Sequence, residues 1–278
     1  MMSAFHSDIA IENMIYGVLP DRRMGQEVLG KTSGISEATE KEIVGFCTSW
    51  GDCRNLNFRR SLNQFPLKSL SPSGEKLIAV VKVINAGLDS IGREGALVRH
   101  ALVLTETDYR RLEFNPFVVE SQGVFLTIWT RQSKCEVIFL DSRHVPPSDL
   151  SEIPRAYYDS LFDYLHTLLS GGEIFLFISN HLHTAEDVIY YVIKLLPVDI
   201  RPEMTLTTFA FRKNLDYRIG CFYRQASAPD DPLKIKFETV GKKEEGVGGF
   251  LALLFENLKY EKYGRAARMI YDPFSVRS

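Results

Sequence analysis

Gly25-Gln26-Glu27-Val28-Leu29-Gly30-Lys31-Thr32 matches the phosphate-loop pattern G-x-x-x-x-G-K-[ST] at every position, and its reading decides the fold. A phosphate loop needs a buried strand ending at its first glycine and a helix starting at its lysine, so that free N–H groups point at the phosphates. Here a polar turn, Asp21-Arg22-Arg23-Met24, precedes Gly25, and Ser33-Gly34 breaks the chain where the helix would begin. The interior carries an acid and two bulky apolar side chains where backbone must wrap an anion. The stretch reads as a strand. With residues 11–18 it forms an antiparallel hairpin across a turn rich in Pro, Asp and Gly. The competing reading is an NTPase in which Gly30 and Lys31 hold phosphate, Thr32 holds magnesium, and Asp141, after the apolar run Val137 to Leu140, holds the same metal.

Outward from the hairpin, Ile43, Phe46, Cys47 and Trp50 share one helical face, with Ser36 or Thr39 as the cap and Glu42 completing a capping box with Thr39. A short strand is expected over 57–62 and a loop over 69–74. Lys76 to Asn85 and Ala96 to Thr105 are apolar on both faces and read as central strands. Within the second, His100 shares a face with Val98, Leu102 and Leu104, and Arg99 with Leu97, Ala101 and Val103. A buried imidazole or guanidinium needs a partner, inside the fold or on a ligand. Thr107 is expected to cap a short helix over 108–112, with strands at 124–130 and 136–140.

Beyond a linker at 144–149 the pattern becomes helix (Pro154 to Leu169), strand (174–178), a helix capped by Thr184 and closed by Pro197, strands at 204–211, 218–224 and 233–238, and a helix over 250–260. The predicted fold class is α+β: an N-terminal domain, 1–150, with a mostly antiparallel sheet and flanking helices, followed by a smaller α/β domain, 151–278.

Composition narrows the function. The 278 residues carry 33 basic and 35 acidic side chains, a formal charge of −2, which supplies no field for nucleic acid. No apolar run approaches the ~20 residues of a membrane span, and no secretion signal is expected at the N-terminus. Cys47, Cys53, Cys135 and Cys221 lack C-x-x-C spacing and suit a reducing cytoplasm. His181-x-His183 with Asp187 is a metal-ligand pattern whose corresponding reading is a metal-dependent hydrolase; His pairs at this spacing are common by chance. Gly246-x-Gly248-Gly249 lacks a lysine and reads as a loop. No G-x-S-x-G elbow is present, no cofactor is implied, and the chain reads as non-enzymatic.

Three stretches resemble the N-terminal and middle regions of the GTPase-associated protein family of prokaryotic NTP-dependent conflict systems. The first is Ile15-Tyr16-Gly17, Asp21-Arg22, Gly25-Gln26, Leu29 and Ser33-Gly34-Ile35. The second is Gly92-Arg93-Glu94-Gly95 leading to His100-Ala101-Leu102-Val103. The third runs from Leu195-Leu196-Pro197 through Arg201 to Met204-Thr205-Leu206-Thr207-Thr208-Phe209. Arg99 stands where the family pattern has a small residue, and the family's longer C-terminal part has no counterpart here. The resemblance implies a cytoplasmic adaptor or regulator binding a small GTPase or an associated ATPase, with Arg93, Arg99 and His100 as candidate ligand or partner contacts. The element order is also similar to the paired longin and DENN arrangement of small-GTPase regulators, an analogy of fold alone.

Overall fold

The computed structural model describes residues 8–18, 25–49, 60–88, 94–126, 135–142, 149–178, 182–211, 216–223, 236–240 and 245–272. The fold is α+β, with two compact units: Met1–Val145 with Ala210–Leu215, and Pro146–Phe209 with Asp216–Ser278.

The first unit is built on an antiparallel sheet. Strand β1 (Asp8–Gly17) is followed by β2 (Glu27–Lys31), helix α1 (Glu37–Ser49), and strands β3 (Arg60–Leu70), β4 (Lys76–Leu88) and β5 (Glu94–Thr105). Short helices α2 (Glu106–Arg110) and α3 (Pro116–Ser121) lead to β6 (Ile138–Asp141). The strands lie in the order β3-β4-β5-β1-β2, and β6 also pairs with β1. The expected hairpin is present, Met14 facing Lys31 and Gly17 facing Glu27, with a bulge between Ile15 and Tyr16. Gly17 is required by the neighbouring strand: a Cβ there would stand 2.8 Å from the Leu97 carbonyl oxygen and 3.1 Å from the Val98 Cα.

Side-chain alternation divides the sheet into two faces. On β1, Ile9, Ile11, Asn13 and Ile15 point to one face and are buried; Met14 and Tyr16 point to the other and are also buried. Helix α1 covers the second face, with Phe46 stacked on Phe65 of β3 at 4.1 Å between ring centroids. Ser36 is its cap, accepting the Thr39 N–H at 3.1 Å. The expected Thr39–Glu42 capping box is not formed, because Thr39 lies inside the helix bonded to Ser36 and Ser69. Glu42 instead turns to β3 and accepts the N–H groups of Lys68 at 2.6 Å and Ser69 at 2.8 Å.

Other boundaries move for equally local reasons. Strand β3 runs to Leu70, well past the expected 57–62, with Pro66 at the edge of a register irregularity, the kind of position where strands tolerate proline. Its polar residues Asn63 and Gln64, which hid the strand, are fully buried, and Gln64 accepts a 2.6 Å bond from the Tyr109 hydroxyl. Thr105, not Thr107, caps α2. Helix α3, unforeseen, starts at Asn115-Pro116, Asn115 accepting the Phe117 N–H at 3.0 Å. Residues 124–126 are not part of a strand; the rest of the strand expected at 124–130 lies outside the described residues.

The second unit begins with single 3₁₀ turns at Leu150–Glu152 and Arg155–Tyr157, followed by α4 (Tyr158–Leu169), β7 (Glu173–Ile178) and α5 (Leu182–Leu195). A 3₁₀ segment, Val198–Glu203, precedes β8 (Leu206–Ala210), β9 (Ile219–Tyr223), β10 (Lys236–Val240), α6 (Glu245–Lys259) and α7 (Tyr263–Tyr271). Strand β7 pairs parallel with β9 and antiparallel with β10, which makes this the α/β part of the chain. Helix α5 begins at Leu182, so Thr184 lies within its first turn and is not the expected cap; α7 was not foreseen.

At the C-terminal end of α5 the fully buried Arg201 takes the role of a cap. Its Nε donates to the Leu196 carbonyl at 3.0 Å and its Nη2 to the Lys194 carbonyl at 3.1 Å, satisfying oxygens that have no helical partner. Lys194, only 4% exposed, donates to Glu152 at 2.7 Å and to the Asp149 carbonyl at 3.0 Å. Replacing Arg201 by Met leaves two buried carbonyls without their donor, so urea unfolding is expected to show a loss of about 2–3 kcal/mol. Arg201→Lys should recover less than half, because an ammonium lacks the planar fork.

Candidate functional site

The residues of the phosphate-loop pattern are committed to structure. Strand β2 is extended and paired with β1, and the next helix, α1, starts six residues after Lys31, at Glu37. The Lys31 ammonium pairs with Glu40 of α1 at 2.6 Å and donates to the Ile35 carbonyl at 3.2 Å. Thr32 is 4% exposed. Its hydroxyl accepts the Asn13 N–H at 2.9 Å and donates to the Asn13 carbonyl at 3.2 Å, while its own N–H reaches that carbonyl at 3.0 Å. Asp141 faces Asp8 on β1, whereas Lys31 faces Met14. Six residues of strand separate those positions by roughly 20 Å, too far for Lys31, Thr32 and Asp141 to share one magnesium.

His100 belongs to the same buried network. It is fully buried on the face of β5 opposite α1, and its Nδ1 accepts the Leu126 N–H at 3.0 Å. Nδ1 is therefore unprotonated and Nε2 carries the hydrogen, directed at the Asn13 Oδ1 at 3.3 Å. Asn13 Nδ2 donates in turn to the Glu136 carbonyl at 2.6 Å. The Phe125 ring stands edge-on to the imidazole at 5.7 Å. Burial, with the Lys82 ammonium adding to it, pushes the imidazole down to about 4. Lys82 is itself held by Glu120 at 3.0 Å, the carboxylate that Arg60 also reaches at 2.7 Å.

Arg99 diverges from His100 to the α1 face. It is 1% exposed, its guanidinium lies 5.7 Å from the centroid of the Tyr16 ring, and Nη1 donates to the Leu97 carbonyl at 3.4 Å. Cys47 of α1 lies close enough to feel its charge; burial nevertheless pushes that thiol up to about 12, so it is unreactive at neutral pH. Arg99 and His100, neighbours in sequence, thus occupy opposite faces of the sheet and do not form one site. Arg93 lies outside the described residues, as does His181, and the His183 side chain is likewise not described. Among the described residues no group of three His, Cys, Asp or Glu side chains is placed to hold a metal ion. No helix among them is long and apolar enough to cross a membrane.

What the first unit offers at its surface is a groove of about 310 Å³ where α1 ends on the sheet. Ala10, Ile35, Leu70, Pro72, Leu77 and Val103 give it apolar walls; Glu12 is the one charged residue among those lining it. The Glu12 carboxylate accepts the Gly34 N–H at 3.2 Å, and a Cβ at Gly34 would collide with that carboxylate. Gly34 and Ile35 belong to the first of the family-like blocks. Sequence reasoning missed this groove, although the alternation Asp8-Ile9-Ala10-Ile11-Glu12 signals a strand with one uncovered face.

A scan against models of protein families finds none that matches this chain, and a search of curated proteins finds no significant match.

The His100 network has a pH signature. The unfolded imidazole titrates near 6.5 and the folded one near 4, so the unfolded state binds more protons between those values. Its contribution is complete above pH 6.5 and is lost as pH falls towards 4, by roughly 3 kcal/mol over that interval. Denaturant unfolding at a series of pH values should show this slope in the wild type. His100→Gln should be less stable at pH 7.5 and flatter between pH 6.5 and 4.

Proposed function

We propose that this protein is a non-catalytic, cytoplasmic adaptor or regulator that binds a GTPase or another component of an NTPase-linked prokaryotic conflict or signalling system. The observation that carries the reading is the fate of the family-like opening block. Its glycine-lysine stretch is a strand arm with Lys31 and Thr32 engaged inside the protein, and its Ser33-Gly34-Ile35 segment walls an open surface groove. A binding surface is thus supported where a nucleotide site would otherwise have been read. The second and third blocks supply buried framework residues, His100 and Arg201, consistent with a scaffold that presents surfaces to a partner.

Affinity capture from the native host with the full chain as bait is expected to recover a GTPase, an ATPase or a product encoded beside this gene; recovery of none contradicts the proposal. Calorimetry with magnesium and ATP or GTP at millimolar concentration should be silent. Saturable, magnesium-dependent binding abolished by Lys31→Ala would overturn the adaptor reading in favour of an NTPase.

A further inference from the structure

Helix α1 covers only part of its face of the sheet. On β1 the side chains directed to that face are exposed at Asp8 and Ala10, half-buried at Glu12, and buried at Met14 and Tyr16. The cover therefore stops near Glu12. Beyond it, Phe139 of β6 stands opposite Ala10 in the ladder, on the same face, and is 64% exposed. Val137, two residues earlier, is 39% exposed, and Leu70, across the groove, is 55% exposed. Large apolar side chains left in water on a sheet face, beside a groove with apolar walls, are a surface that another element covers.

The shape and charge of this surface select the covering element. It is a face, not an edge, and the element already packed on that face is a helix. Five residues of β1 span about 17 Å, and the rows from β6 through β1 and β5 to β4 span about 14 Å. A three-turn helix, about 16 Å long and 10 Å wide, fits that area beside α1. The charges along this part of β1 are acidic: Asp8 and Glu12 flank Ala10 along the strand, and Glu12 is the one charged residue among those lining the groove. We propose that this surface, framed by Ala10, Leu70, Val103, Phe139 and the carboxylates of Asp8 and Glu12, docks a basic amphipathic helix of a partner protein, its apolar stripe on Phe139 and Leu70 and its Lys or Arg residues over Asp8 and Glu12. This rests on the adaptor reading and names the chemistry of the segment recognised.

The test uses the full-length protein and two synthetic 16-residue amphipathic peptides, one with a Leu/Phe stripe flanked by Lys and Arg, the other with the same stripe flanked by Glu. Fluorescence anisotropy at moderate salt should show the basic peptide binding about tenfold more tightly, the size expected from one exposed and one half-buried carboxylate that attract one peptide and repel the other. Asp8→Lys should erase most of that preference, and Phe139→Ser should weaken the basic peptide several-fold with an unchanged melting temperature, since both side chains are exposed. Equal affinity for the two peptides, no binding of either, or indifference to Phe139→Ser would overturn the assignment. So would sedimentation showing a wild-type dimer dissociated by Phe139→Ser, which would make the occupant a second copy. Host partners captured equally by wild type and Phe139→Ser would sink the surface and leave the adaptor reading intact. Charge-selective peptide binding with no NTPase-linked partner captured would do the reverse.

Discussion

Asn13 is the point through which the first unit is tied together. Its backbone N–H and carbonyl are both taken by Thr32, its side-chain amide donates to the Glu136 carbonyl, and its side-chain oxygen faces His100. Every hydrogen-bonding group of one buried residue thus joins the end of β2, the approach to β6, and β5. A buried amide cannot be left partly satisfied without a cost of about 1–3 kcal/mol per group, so Asn13 and its three partners, Thr32, Glu136 and His100, hold one another in register. The constraint also settles the side-chain direction along β1. With Asn13 inward, Ile9, Ile11 and Ile15 follow it to one face and Asp8, Ala10 and Glu12 go to the other.

Two features that look functional in the sequence are consequences of this arrangement. The threonine of the phosphate-loop pattern closes the hairpin onto Asn13, and the histidine of the glycine-rich approach anchors Leu126 to the sheet as a neutral imidazole. The lysine of the pattern ties β2 to α1 across a half-exposed ion pair with Glu40, worth under ~1 kcal/mol in such a setting. The chain keeps the letters of a nucleotide motif while spending their donors and acceptors on its own backbone. Among the described residues, the uncovered end of the α1 face is directed outward, and the docking proposal rests on that surface.

Much of the framework was legible because it is written in short-range pattern. The hairpin, α1, β4 and β5 follow from turn residues, one helical stripe and two strands apolar on both faces. Features set by distant partners were not. Nothing local reveals that Glu42 turns to the β3 amides instead of closing a capping box, or that Gln64 is buried against the Tyr109 hydroxyl. Strand alternation alone put Arg99 and His100 on opposite faces of β5, as found, but could not name their partners, Tyr16 and the Leu97 carbonyl on one side and Asn13 and Leu126 on the other. The groove depends on where α1 stops over β1, a tertiary fact; its sequence trace is the exposed half of the alternation before Asn13. Asn115-Pro116 was a readable helix start that adjacent β patterns obscured.

Amide hydrogen exchange of residues 25–35, with and without magnesium and a nucleoside triphosphate, tests the central claim most directly. Pairing of β2 with β1 predicts that the amides of Gly30 and Thr32 are protected in the free protein and unchanged by nucleotide. Rapid exchange in the free protein that becomes protection on adding ATP or GTP would contradict it.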